Sequence, residues 1–292
     1  MNLLKRIYKH RYAYFFLLPH FVFFLIFFLL PVGNGVYLSL FDYNVFSKTF
    51  IGIENYREIF SDWLFRKALL NTFIYTFGVV PLWLGKALLV TVLIYPFRKP
   101  IKTFFKTVFY LPHVTSSVII SLIWLWIFNP TFGLLNYFMK VLGLNPVIWL
   151  GNKLTAMPSL IAMQVIMGGG STIVLLSAAM ASIPEYYFES AKLEGASSWK
   201  IFTKITVPLL KPTILYALVM GTIANFQTFS NIYVMTQGGP EFSTITVAYL
   251  VYTTAFRDYN LGLASAMSMV MFVILVGLGI LQFKWLGSNV QY

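Results

Sequence analysis

"EYYFESAKLEGASSWKIFTKITVPLLKP", residues 185–212, differs in kind from the sequence on either side of it. It is charged, suits short helices and is punctuated by Gly195, Pro208 and Pro212, while its neighbours are apolar enough to sit in lipid. Just upstream, Ser182 and Glu185 have capping-box spacing: the serine caps the first amides and the glutamate reaches back to the cap residue. Pro184 suits a first helical turn. A helix is therefore expected through Glu189 and Ala191 until Gly195, a natural terminator. A second short helix is expected from Ser198 to just before Pro208. The product is a helix–Gly–helix elbow over residues 183–208, with Gly195 and Ala196 small enough for another protein's backbone to approach. Leu193 is expected to pack within the elbow.

Outward from the elbow, the chain is mostly apolar. Of its 292 residues, 59% are hydrophobic and 10% charged, with a mean hydropathy of +0.77. A soluble protein carries about 25% charged residues. "YAYFFLLPHFVFFLIFFLLPVGNGVYLSL" (12–40) exceeds the roughly 20 residues needed to cross a bilayer. It is too long for a cleaved signal peptide and lacks a small-residue cleavage site. Six spans are expected, at about Tyr14–Leu38, Ala68–Tyr95, Phe104–Phe128, Thr155–Ser182, Thr213–Met235 and Leu261–Phe283. The fourth is the weakest, because "MGGGST" (167–172) interrupts it. The fold class is an all-α polytopic membrane protein of about six transmembrane helices, expected to form one membrane domain over residues 1–292. "IGIENYREIFSD" and "TVAYLVYTTAF" read as short helices at the interface.

Charge sets the orientation. Thirteen Lys and Arg fall in the N-terminus, the loop between spans 2 and 3, the elbow and the C-terminus; seven fall in the other segments, and Lys86 lies inside span 2. By the positive-inside rule both termini and the elbow are cytoplasmic. The net charge of +12 thus reflects topology and marks no nucleic-acid site. With no cysteine, thiol and cysteine–metal chemistry is excluded. His10, His20 and His113 are too scattered for a metal site, so no metal is expected. No phosphate-binding loop is present for ATP hydrolysis, and neither H-E-x-x-H nor G-x-S-x-G occurs, so no catalytic residue is expected. All nine acidic residues lie outside the spans. That weakens an ion-coupled carrier acting alone, which usually needs buried carboxylates, although backbone carbonyls also bind Na⁺.

Glu189-Ser190-Ala191, three residues, Gly195, nine residues, then Ile205-Thr206-Val207-Pro208 resembles the "EAA…G…I-LP" loop of ATP-binding-cassette importer permeases. Ser190 and Val207 depart from its commonest letters but keep small and branched apolar character. "NIYVMTQGGPEFSTITVAYLVYTTAF" (231–256) and "LFDYNVFSKTFIGIENYREIF" (40–60) are similar to segments of carbohydrate importer permeases. The likeness is nearest to the maltose-type F subunit without its additional N-terminal helices and large outer domain. The resemblance implies a type I importer permease fold in a bacterial-type cytoplasmic membrane. It implies four kinds of partner: a second homologous permease, two ATPase subunits that bind ATP and Mg, an extracytoplasmic solute-binding protein and a saccharide. No cofactor is implied for this chain. In the elbow it implies docking on the ATPase through Glu189, by a charge-assisted contact, and through Ala191, Gly195, Ala196, Ile205 and Pro208.

A path for solute is expected where polar or small residues interrupt the spans. Gly168, Gly169 and Gly170 lie about fourteen residues from Ser182, roughly 20 Å into the membrane. On span 5, Gly221, Asn225 and Thr228 are expected on one helical face, flanked by Phe226 and Phe229, whose rings suit sugar C–H faces. Such groups at this depth face a cavity or pack between helices. The resemblance makes Met167, Gly168, Ser171, Gly221, Asn225, Thr228 and Ser230 sugar-contacting positions. Lys86, within "PLWLGKALL", either snorkels or pairs with a neighbouring helix, or attracts a negatively charged saccharide. The expected function is the permease half of an ATP-driven sugar importer. The alternatives are a permease for glycerol-3-phosphate or another small anion, and an ion-coupled sugar carrier.

Overall fold

The computed structural model describes residues 11–44 and 47–287; Lys5, Arg6, Lys9 and His10, weighed above, lie outside the described residues. Among the described residues, four helical segments are long and apolar enough to cross a membrane: Tyr14–Leu38, Trp63–Ile94, Ser198–Met235, which is interrupted after Phe226, and Leu261–Leu286. Two bent pairs pass the same test, Lys99–Val114 with Ser117–Ile127 and Ala156–Met167 with Gly170–Ala181. With each pair taken as one span, the expected number and order of spans is recovered, and we number them 1 to 6 along the chain.

Prolines shape several of these helices. Span 1 and the approach to span 5 each contain a π turn, Leu25–Leu29 and Phe202–Thr206, placed two residues before Pro31 and Pro208. Proline lacks an N–H, and its ring crowds the carbonyl four residues back. A wide turn closed by an i→i−5 bond absorbs that misfit: Leu30 N–H donates to Leu25 and Val207 N–H to Phe202. The second elbow helix therefore does not stop before Pro208 as expected. It runs from Ser198 through the π turn into span 5 and on to Phe226. Span 3 differs as well: its halves meet at 97°. Pro112 lies in the last turn of the first half, and Thr115 and Ser116 are extended, with ψ of 140° and 134°.

The chain divides into two compact units. One contains the residues up to Asp62 together with Val251–Met271. In it, Phe41–Tyr43 and Lys48–Phe50 form an antiparallel hairpin with Asp42 opposite Thr49. Three-residue strands are too short to show an alternating pattern, and the sequence reading does not find them. The expected interface helix forms at Glu54–Ser61. Its Asn55 amide donates to the carbonyls of Ser39 and Phe41, both at 2.9 Å, and so secures the hairpin.

The other unit comprises Trp63–Leu250 and the residues from Phe272 onward. Its core joins Leu84, Ala87 and Ile94 of span 2 to Ile173, Leu176 and Met180 of span 4, and to Leu210, Ile214 and Ala217 of span 5. Between helices in lipid such close packing itself drives association, since lipid tails are as apolar as leucine. Span 2 is the axis of this unit. Near its start, Asn71 donates to the carbonyls of Phe242 and Ile245 at 2.9 and 3.0 Å. Just past its far end, Tyr95 meets the elbow residue Phe188, their ring centroids 5.8 Å apart.

Candidate functional site: the elbow and the polar path

The first elbow helix is Tyr186–Leu193. Its expected capping box does not form. Ser182 belongs to the end of span 4, where its hydroxyl donates to the Ala179 carbonyl at 2.7 Å, and Glu185 holds the cap position without a side-chain bond. The C-terminus behaves as expected. Gly195 takes φ +75°, its N–H donates to Lys192 at 3.0 Å, and Ala196 N–H donates to Ala191 at 2.9 Å. This is the paired closure of a Schellman motif. Among the described residues nothing lies within 4 Å of where a Gly195 Cβ would stand, so the left-handed backbone is what demands glycine there. Ser197 then caps the second helix, its oxygen accepting from Lys200 N–H at 3.4 Å.

The elbow has distinct faces. Phe188, Ile183, Val207 and Leu210 root it in the core. Glu189 and Pro208 are exposed, and Ala191, Ala196 and Ile205 are half-buried. Leu193 is 89% exposed and does not pack within the elbow; the helix ends before it can turn inward. Trp199 is also largely exposed.

Among the described residues, two cavities lie between spans 2, 3, 4 and 5. One, of about 490 Å³, is bounded by Trp83, Ser171, Gly221 and Asn225; the other, of about 310 Å³, by Met167, Gln227, Thr228 and Ser230. His113, Gln164, Gly168 and Ala224 belong to both walls. The seven expected path residues are thus brought together, but by different geometry for one of them. The helix of span 5 stops at Phe226, so Thr228 lies in the break before Ser230–Met235 rather than on a shared helical face. Phe226 points away from the path: it is fully buried and meets Phe73 edge-on at 5.2 Å. Phe229 does line the smaller cavity.

Trp83, His113, Gln164 and Asn231 are wall residues that the sequence reading does not find. Gln164 accepts from the Asn231 amide at 3.0 Å, and the Asn231 oxygen accepts from Ser121 at 3.0 Å, tying spans 3, 4 and 5 together. Trp83 fills the space that the small residues leave. A Cβ on Gly221 would stand 2.7 Å from its ring. The one available signal was its place three residues before Lys86, on the same helical face.

Lys86 meets the break in span 4. Gly168 is extended and Gly169 takes φ +94°, so the helix ending at Met167 and the next, starting at Gly170, meet at 43°. A helix end leaves its last four carbonyls without amide partners. The Lys86 ammonium donates to the carbonyls of Val165, Ile166 and Gly168 at 2.5, 2.9 and 2.6 Å. An ammonium has three protons, and here each has an acceptor. The cation also sits at the negative end of the half-helix dipole.

Apolar spans thus surround a path walled by amide and hydroxyl groups. The chain belongs to the family described as the binding-protein-dependent transport system inner membrane component, whose signature matches residues 87–290. It is therefore a transmembrane permease subunit of an importer, and a transport subunit rather than a hydrolytic enzyme. The probable ABC transporter permease protein YurN of Bacillus subtilis is 36% identical over 277 residues, covering 93% of this chain and 94% of that one. The trehalose/maltose transport system permease protein MalF of Thermococcus litoralis is 32% identical over 286 residues, covering 94% and 95%. Among solved structures, a bacterial ABC transporter involved in the import of the acidic polysaccharide alginate shares the fold. Its TM-score is 0.83 at 24% identity, with 99% of each chain covered.

Proposed function

We propose that this chain is one membrane half of an ATP-driven, binding-protein-dependent saccharide importer. It works as a single permease domain beside a second, homologous permease, with both termini and the elbow in the cytoplasm. Two ATPase subunits bind ATP and Mg and grip the elbow, and an extracytoplasmic binding protein delivers the sugar. Glu189 reaches a basic residue of the ATPase, while Ala191, Gly195, Ala196, Ile205 and Pro208 give the elbow its fit. Leu193 and Trp199, held out by the same helices, add apolar contact.

The observation that carries this reading is the unbroken helix from Ser198 to Phe226. Its near end is half of the elbow; its far end supplies Gly221 and Asn225 to the cavity wall. The 28 residues from Ser198 to Asn225 make a rod of roughly 40 Å. A displacement imposed on the elbow is passed to the wall as rigid-body motion, without an intervening flexible loop. The saccharide is supported by the hydroxyl and amide groups of the path, by Phe229, and by the name of the trehalose/maltose relative.

ATP-driven uptake tests the reading. The chain is co-assembled with its partner permease, ATPase and binding protein in vesicles, and uptake of labelled maltotriose, trehalose and diacetylchitobiose is followed with and without ATP. Accumulation of at least one sugar only with ATP is expected. Accumulation by vesicles that hold this chain alone, without nucleotide, would instead establish the ion-coupled carrier.

A further inference from the structure

We propose that Lys86 is an internal cap and no substrate contact, so that this chain's half of the path is built for uncharged saccharide and rejects anionic ones. The inference rests on the importer reading above and narrows its substrate class.

A lysine midway along a span invites the opposite assignment, as the counter-charge for an acidic sugar or a small phosphate ester. Three facts of geometry oppose that assignment. First, the ammonium has no proton left to give: Val165, Ile166 and Gly168 take all three, at 2.5–2.9 Å. An anion could bind Lys86 only by displacing one of these carbonyls, which would then lose its donor. Second, the ammonium faces the C-terminal end of a half-helix, whose partial negative charge of about one half offsets much of its field. Third, among the described residues, neither cavity is lined by Asp, Glu, Lys or Arg. The walls offer the amides of Gln164, Gln227 and Asn231, the hydroxyls of Ser171 and Ser230, and the His113 imidazole. Neutral donors and acceptors of this kind match sugar hydroxyls, and they leave a carboxylate or phosphate poorly compensated when it is stripped of water.

The chain has no cysteine, so a single thiol can report the charge of the path directly. Ser171→Cys places it on the wall of the larger cavity, in the full chain within its membrane assembly. It is titrated with a cationic trimethylammonium thiosulfonate and with an anionic sulfonate thiosulfonate, and the two rates are divided. The same quotient measured for free 2-mercaptoethanol is the reference. Charged clefts concentrate counter-ions by about tenfold or more, so a quotient within about tenfold of the reference is the expected result. A shift beyond that toward the anionic reagent would mean that Lys86 presents its charge to the path, and would overturn the proposal. A comparable shift toward the cationic reagent would overturn it by revealing an acidic path. Reaction with neither reagent would overturn it too, since Ser171 would then face no open path. No sugar or nucleotide enters this measurement, so its failure is distinct from a failure of ATP-driven uptake.

Discussion

The first elbow helix and the first half of span 4 both end at a glycine break, and each satisfies its last carbonyls in its own way. In the elbow, Gly195 and Ala196 turn back and donate their own N–H groups to Lys192 and Ala191. In span 4, the carbonyls of Val165, Ile166 and Gly168 receive an ammonium that arrives from span 2, some eighty positions earlier in sequence. The backbone accounts for the difference. At the elbow the chain turns back through Gly195, and a local motif reaches its own carbonyls. At the break in span 4 Gly168 is extended and leads away from the helix end, and the donor comes from span 2. The break in span 4 is thus completed by a second helix, whereas the elbow completes itself.

The largest expected effect comes from removing the imported cap. Lys86→Met keeps the length of the side chain and strips three carbonyls of their donor. These contacts are part-buried or exposed, so the loss is about 1–3 kcal/mol in all, enough to distort the Gly168–Gly169 break. The maximal rate of ATP-driven uptake in reconstituted vesicles is expected to fall by more than about tenfold, with the substrate concentration for half-maximal uptake little changed. Lys86→Arg is expected to restore part of that rate, because guanidinium keeps the charge and the donors but fixes them in a planar fork. Wild-type rates from the Met variant would erase the distinction between the two helix ends.

Next comes the self-completed end. Gly195→Arg is expected to leave membrane insertion and assembly intact, since nothing in this chain occupies the space beside Gly195. The left-handed backbone adds strain of about 1–2 kcal/mol, too little to unfold the elbow. Substrate-stimulated ATP hydrolysis is nevertheless expected to vanish, because a guanidinium stands where the ATPase backbone has to approach. An assembled Gly195→Arg complex with full stimulated hydrolysis would remove the elbow from the coupling path.

The same contrast explains what could be read from sequence. Signals at the elbow are local, and Gly195 with its terminating role is read correctly from its neighbours. The misreadings there have specific causes: Ser182 is already used by span 4, Leu193 is turned outward, and Pro208 is absorbed by a π turn instead of ending a helix. In span 4, "MGGGST" gives the place of the break but not its partner. Pairing of Lys86 with a neighbouring helix is one of two alternatives at that stage, and only the fold shows which carbonyls it meets. The 97° bend of span 3 escapes because Pro112 and the extended Thr115-Ser116 pair sit in a run whose apolar character suffices for one straight span. Thr228 was assigned to a helical face on the assumption that the helix continued past Phe226; it reaches the path by way of the break instead. Trp83, Gln164 and Asn231 carry no sequence signal strong enough to separate a cavity wall from ordinary helix packing.

The smallest effect tests whether charge or shape governs the self-completed end. Glu189 is exposed on the first elbow helix, five residues before the chain turns at Glu194 and Gly195. Its removal leaves the Schellman closure and the Phe188 anchor untouched, so Glu189→Ala is expected to change the chain's own stability by less than about 0.5 kcal/mol. In the proposed contact with the ATPase it removes one charge-assisted bond, worth about 1.5–3 kcal/mol if water is shut out and under about 1 kcal/mol if it is not. Stimulated ATP hydrolysis is therefore expected to drop by about two- to tenfold, less at high salt where an exposed pair is already screened. A loss as complete as that of Gly195→Arg would reverse the ranking: the ATPase would be held by one ion pair, and the fit around Gly195 and Ala196 would be secondary. A partial loss that shrinks as salt rises would instead mean that the elbow is gripped by its shape, with Glu189 adding a screened charge at the rim.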